Sequence, residues 1–195
     1  MTKNKVSLAI FASGSGTNAR KIMEYFADSS SVQVGLVVCN KPGAGVVQVA
    51  ADYGVPVVMI RRDDFFHSEH LLEVLAQYGI DWLILAGFLW LIPPYLVRAF
   101  PRRMINIHPA LLPAFGGKGM YGRFVHEAVK AAGVSETGIT IHYVNEEYDA
   151  GDIIVQVACT VTPDDTPETI AQKVQKMEHL YFPQVIARLT TGRSA

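Results

Sequence analysis

Short β-branched runs alternate with helix-like segments through the first half of the chain, and no other feature limits its fold as strongly. Val6–Phe11, Val32–Cys39, Val55–Ile60, Trp82–Ala86 and Met104–His108 read as strands. Thr17–Phe26, Gly45–Tyr53, His67–Tyr78 and Pro93–Phe100 carry helical patterning between them. Strands apolar on both faces belong in a parallel sheet with helices on each side. The expected architecture is α/β: a doubly wound, mostly parallel sheet in a single domain. Beyond Pro109 a Gly- and Pro-rich loop runs to about Gly122, and a helix follows over Phe124–Ala132. Two further strands, Gly138–Val144 and Ile153–Val161, flank an acidic loop. A last helix spans Thr166–Leu189, with a bend expected at Pro183.

Charge and composition remove several classes of partner. The 17 Lys and Arg balance 18 Asp and Glu, so the chain lacks the basic excess that nucleic-acid binding uses. Half of its residues are apolar, too many for a disordered chain. The longest charge-free stretch, Trp82–Val97, falls short of the ~20 residues that span a bilayer, and Pro93-Pro94 interrupts it. No membrane association is expected. The start, MTKNKVSLAIF, has basic residues but a short apolar run that leads into a Ser-Gly loop, so no signal peptide is expected. Cys39 and Cys159 lack CxxC spacing and read as two reduced core thiols of a cytoplasmic protein. No His, Cys or acid cluster has metal-ligand spacing.

Ligands of doubly wound sheets bind beyond the C-terminal strand ends, which directs attention to the loops after Phe11, Ala86, His108 and Val144. The first is Ser13-Gly14-Ser15-Gly16-Thr17-Asn18. Glycines allow a tight turn, and the following helix start offers free N–H groups to an anion. Gly14, Gly16 and Ala19 satisfy the letters of a dinucleotide fingerprint. Asn40, however, stands where an acid should hold the ribose. A GxxxxGK[ST] loop is absent as well. A monophosphate loop and a structural turn remain as the two readings.

In Met104–His108, residues two apart share a face, so Asn106 and His108 project together from a buried strand end that Pro109 terminates. An amide beside an imidazole can hydrogen-bond an oxygen that gains charge during acyl transfer. The loop Val144–Asp152 offers Glu146, Glu147, Asp149 and Asp152, any of which could fold back and support a charged His108. Spacing does not choose among them. For His126 and His142 two readings stand open, lining the site or packing on a helix surface and a strand. His67, His70 and His179 read as surface or packing residues.

Asn106-Ile107-His108-Pro109, then Leu-Leu-Pro and a later Asp-x-Gly, resembles the folate-dependent formyltransferases. The loop Ser13–Asn18, Leu85-Ala86-Gly87-Phe88, and Gln175–His179 with Pro183 resemble those members that formylate a phosphoribosyl glycinamide in purine synthesis. The resemblance covers about Val6 to Leu189. It implies a Rossmann-like formyltransferase fold over residues 1–195, with a phosphate-binding half up to about 100 and a catalytic, folate-binding half over about 101–190. It implies direct formyl transfer from 10-formyltetrahydrofolate, a cosubstrate, to the amine of glycinamide ribonucleotide, with no metal. Asn106, His108 and Asp149 match the catalytic trio that stabilises the tetrahedral species. Gly16, Thr17 and Asn18 match the phosphate cradle, and Glu178 a carboxylate at the glycinamide end. Leu89-Trp90-Leu91-Ile92 matches the backbone that hydrogen-bonds the pterin, beside Asn106. Trp90 departs from the Arg expected there, and the 115–122 loop is richer in glycine than the family pattern. The state implied is a monomer or homodimer. The alternatives are a formyltransferase or formyl-folate hydrolase using another acceptor, and a non-catalytic binder of phosphorylated metabolites.

Overall fold

The computed structural model describes residues 5–192. The basic start at residues 1–4, used in the signal-peptide argument, lies outside the described residues. The elements run β1 (Val6–Ala12), α1 (Thr17–Phe26), β2 (Val32–Cys39), α2 (Gly45–Asp52), β3 (Val57–Met59), α3 (Arg62–His67) and α4 (His70–Gln77). They continue with β4 (Trp82–Leu85), α5 (Pro94–Ala99), β5 (Met104–His108), α6 (Arg123–Ala132), β6 (Glu136–Tyr143), β7 (Ile153–Thr160) and α7 (Pro167–Thr191).

The strands form one sheet in the order β3-β2-β1-β4-β5-β6-β7. β1 to β5 are parallel, β6 runs antiparallel to β5, and β7 antiparallel to β6. The mostly parallel, doubly wound sheet expected from the patterning is the one observed. The chain winds outward from β1 to β3 and returns to place β4 beside β1. That reversal puts the switch point, where such sheets bind ligands, between the C-terminal ends of β1 and β4.

Alternation along the strands divides the core into two layers. Leu8, Ile10 and Ala12 of β1 and Ile105 and Ile107 of β5 face the layer built with α1, α2, α6 and α7. Ala9 and Phe11 of β1, with Leu83 and Leu85 of β4, face the layer built with Phe65, Leu71, Leu75 and Leu96. Both layers hold fully buried residues, which accounts for strands without a polar face.

Several details differ from expectation. The helix expected over 67–78 is α4 (His70–Gln77), and a short unexpected helix, α3 (Arg62–His67), precedes it across the extended Ser68. The Ser68 N–H and Oγ both donate to the Asp64 carbonyl, at 3.1 and 2.8 Å, closing the C-terminal end of α3. β3 is confined to three residues at the sheet edge. Cys159 is half-buried on the edge strand β7 and so is not a core thiol, whereas Cys39 is fully buried. α7 opens with a Thr166–Thr169 capping box and runs unbroken through Pro183.

Candidate active site

β5 carries the first pair of site residues. Ile105 and Ile107 anchor one face in the core, so Asn106 and His108 share the other. His108 is 3% exposed. Its Nε2 lies 2.8 Å from the Phe115 carbonyl, which can only accept, so Nε2 carries the hydrogen and donates. Nδ1 is thereby the nitrogen free to gain or lose a proton, and it faces Asp149 Oδ2 at 3.5 Å.

Asp149 reaches this position through local backbone geometry. Its φ is +53°, in the left-handed region that Asp and Asn tolerate better than other side chains. Two residues on, a Cβ at Gly151 would collide with the Tyr143 carbonyl, so glycine lets the loop fold tightly back on the end of β6. The Gly117 N–H donates to Asp149 Oδ2 at 3.0 Å. The β5–β6 register sets His142 directly opposite Asn106. His142 Nδ1 lies 2.8 Å from the Tyr143 carbonyl, and its Nε2 stands 3.1 Å from Asn106 Nδ2 and 3.6 Å from Asp149 Oδ1. Asn106 Nδ2 also points to Asp149 Oδ1 at 3.4 Å. The contacts of Asp149 with Asn106 and His108 are long, which leaves both groups able to turn to an oxygen that gains charge beside them.

The electrostatics follow from burial and these neighbours. Burial pushes the His108 imidazole below its ordinary value and outweighs the support of Asp149 and the Phe115 carbonyl. For Asp149 burial pushes upward, but His142, the charge of His108 and the Gly117 N–H together hold the carboxyl below its usual range.

The glycine loop closes the other end. Gly16 sits at φ +77° as the residue before α1, and a Cβ there would meet Val46 Cα at 2.7 Å. The Val46 N–H donates to the Gly14 carbonyl at 3.1 Å, fixing the loop against α2. Ser13 N–H donates to the Gly87 carbonyl, and Leu89 N–H to Ser13 Oγ at 3.1 Å, tying the loop to the end of β4. The first-turn amides of Thr17 and Asn18 are free of intrahelical partners, as at any helix start. From α7, Gln175 Nε2 donates to Thr17 Oγ1 at 3.4 Å, and Asn18 Nδ2 donates to Glu178 Oε2 at 3.0 Å. Burial raises the Glu178 carboxyl to about 7 against that hydrogen bond. Asn18 Oδ1 is buried with no partner among the described residues.

One cavity of about 790 Å³ joins the two ends. Gly16, Thr17, Asn18 and Glu178 line it together with Asn106, His108 and Asp149. Leu89 also lines it and is 42% exposed, whereas Trp90, Leu91 and Ile92 stand outside its lining. Ile92 is buried in the core, and Trp90 packs against Phe65, Phe66 and Phe88 with the Arg62 guanidinium 5.6 Å from its ring centre. Lys41 and Lys118 bring positive charge to the rim, and His126 joins the lining. His67 and His70 are exposed and His179 is half-buried, in line with surface and packing roles. Among the described residues no group of three His, Cys, Asp or Glu is placed to hold a metal ion. No helix among them is long and apolar enough to cross a membrane.

Sequence reasoning missed the carbonyl of Phe115 and the amide of Gly117, because backbone groups leave no letter. His142, left open between lining the site and strand packing, stands opposite Asn106 and contacts it, a placement set by the antiparallel register.

A switch-point cavity with a phosphate-type helix start at one end and an amide–imidazole–carboxylate set at the other defines a group-transfer site, and the chain belongs to the formyl transferase family, whose model matches residues 6–186. It is 46% identical to the chloroplastic phosphoribosylglycinamide formyltransferase of Arabidopsis thaliana, over 95% of this chain and 66% of that protein. It is 36% identical to the phosphoribosylglycinamide formyltransferase of Bacillus subtilis, over 93% of each. The crystal structure of glycinamide ribonucleotide transformylase 1 from Geobacillus kaustophilus superposes with a TM-score of 0.86, at 38% identity over 95% of this chain and 99% of that one. The chain spans a little under two thirds of the plant relatives it matches, 66% of the Arabidopsis protein and 64% of the Vigna unguiculata one.

Proposed function

We propose that this chain transfers the formyl group of 10-formyltetrahydrofolate to the amine of 5-phosphoribosylglycinamide, a step of purine synthesis. The observation that carries the reading is the single cavity that holds Asn106, His108 and Asp149 at one end and the glycine loop with Glu178 at the other. Its volume falls within the range of small-molecule sites. The orphaned Asn18 Oδ1 and the exposed Leu89 flank suit a polar acceptor at one end and a partly apolar donor at the other. The names of the Arabidopsis and Bacillus relatives agree with it.

When bound, the folate supplies an activated formyl carbon. Thr17 and Asn18 offer backbone N–H groups to the acceptor's phosphate. Glu178, held by Asn18, stands toward the glycinamide end, where a carboxyl near neutrality can orient the amine without trapping it as a tight ion pair. Asn106 and His108 Nδ1–H aim at the position where negative charge develops on oxygen, preorganised by His142 and Phe115. Asp149 favours the protonated form of Nδ1 as that charge grows; when the amine has bonded to the formyl carbon and the carbon's bond to the folate nitrogen breaks, His108 gives that nitrogen its proton and recovers the one the amine loses. The pterin contact stays with the backbone of residues 89–92 on this reading, with Leu89 nearest the cavity. Residues up to about 100 carry the phosphate side and 101–190 the chemistry, with Gln175 and Glu178 of α7 reaching back across.

The test is formyl transfer with purified protein, 10-formyltetrahydrofolate and glycinamide ribonucleotide. Turnover with that acceptor exceeding turnover with water or other amines supports the reading, and its absence refutes it. The same reading places the enzyme in the cytoplasm as a monomer or homodimer. The two unpaired cysteines suit a reducing compartment. Fractionation of cells and light scattering of the purified chain check these two points.

A further inference from the structure

α6 brings a third imidazole to the cavity. His126 lies near the start of that helix, is 7% exposed, and lines the same space as His108. Among the described residues its ring makes no hydrogen bond. Nδ1 is enclosed without a partner, and Nε2 meets no protein group that could satisfy it. Buried polar side chains are rarely left in this state unless something outside the chain completes them. Packing does not explain the residue, since Val125 and Val129 already supply the face that α6 buries in the core.

The surroundings say which ligand completes it. The same cavity wall continues along α7 through Ala171, Gln172, Gln175 and Glu178. Gln175 and Glu178 are hydrogen-bonded to Thr17 and Asn18 of the glycine loop. With His108 as a neighbour and α6 packed on α7, His126 stands between the chemistry and the acceptor's side of the cavity. Burial and the neighbouring His108 both push its ring toward the uncharged form. An uncharged imidazole offers one N–H and one lone pair. That pair of groups does not select a phosphate, but it matches a hydroxyl or an amide.

We propose that His126 is a substrate-binding residue that hydrogen-bonds an uncharged polar group of the phosphoribosyl acceptor, between its phosphate and its amine. The inference rests on the function proposed above. His126→Phe keeps a buried ring and removes both nitrogens, His126→Leu does so with a smaller side chain, and His126→Gln restores an amide donor and acceptor. Steady-state kinetics and calorimetric titration are read for all three. The Phe and Leu variants are expected to raise KM and Kd for glycinamide ribonucleotide about 10-fold, with KM for 10-formyltetrahydrofolate within about 2-fold of wild type. The Gln variant is expected to recover most of the loss. Titration with ribose 5-phosphate separates the sources: a loss with this fragment identifies a ribose hydroxyl, and a loss seen only with the complete acceptor identifies the amide. Two apolar variants allow for one that fails to fold. Unaltered acceptor affinity in a folded Phe or Leu variant overturns the proposal, as does an equal loss for both substrates without rescue by Gln. A wild-type chain that never formylates glycinamide ribonucleotide sinks the function itself. A wild type that turns over normally beside an unaltered Phe variant sinks this inference alone.

Discussion

Replacing Asp149 by Asn removes one negative charge from the centre of the site and keeps its shape. Asn tolerates the left-handed backbone at this position and retains an oxygen for the Gly117 N–H. What is lost is the field on His108 Nδ1, 3.5 Å away. At that distance, with an effective dielectric of about 20, two unit charges interact by roughly 5 kcal/mol. Both charges are delocalised, one over two oxygens and the other over a ring, so the differential support for the imidazolium is nearer ~2 kcal/mol. At about 1.4 kcal/mol per pKa unit, this is a fall of about 1.5 units. The sign is fixed by the geometry. Burial already holds His108 below its ordinary value, Asp149 is the group that opposes burial most, and its removal takes the pKa lower still.

The protonated fraction of His108 at neutral pH then drops by about 30-fold, which sets a lower bound on the loss in kcat. Loss of general-acid function extends it to about 10²–10⁴-fold, with KM for the acceptor changed far less. Two measurements check the chain of reasoning. NMR titration of labelled histidines follows the His108 pKa in both proteins, and the pH dependence of kcat follows the chemistry. An unchanged or higher His108 pKa in the variant refutes the electrostatic argument. A kcat within about 3-fold of wild type refutes the role of Asp149 in proton transfer.

Glu178 titrates near 7 in the folded chain against an ordinary value of 4.5, so the folded state binds this proton more tightly. Its contribution to stability is therefore greatest below the ordinary value and is lost as pH rises through that interval; with one edge open to the cavity the loss is ~2 kcal/mol. Glu178→Gln should flatten that slope in urea unfolding at pH 5 and pH 8, and parallel slopes for both proteins would count against the burial argument. Gly16→Ala forces a side chain onto Val46 at φ +77°, and it should cost about 2–4 kcal/mol and raise KM for the acceptor more than for the folate. A loss below about 0.5 kcal/mol in chemical denaturation would show that the loop gives way easily.

The strands were legible to the extent that local pattern decides them. Val32–Cys39 and Met104–His108 are observed with the bounds expected, because residues apolar on both faces have few alternatives to a central parallel strand. The placing of Asn106 and His108 on one face followed from the two-residue period alone. The helix expected over 67–78 is present as α4, but the short α3 before it went unread, because six residues ended by Ser68 carry too little period to register. Partners that lie across strands were beyond reach in principle. His142 meets Asn106 because β6 reverses direction beside β5, and the sequence of a single strand does not state its neighbour's direction or register.

Asp149 shows where local chemistry does carry the signal. Four acids share the loop after β6, and charge alone does not separate them. Asp152 is drawn outward to Arg102 at 2.9 Å on the surface, while Glu146 and Glu147 are exposed. Asp149 turns inward because it occupies a left-handed position, which Asp tolerates and Glu disfavours, and because Gly151 can pass against the Tyr143 carbonyl. The Asp-x-Gly spacing is thus a backbone instruction before it is a catalytic motif. It folds the loop onto the strand end, and the carboxylate reaches His108 as a consequence. A substitution at Gly151 should then disable the site without touching any group that meets the substrate.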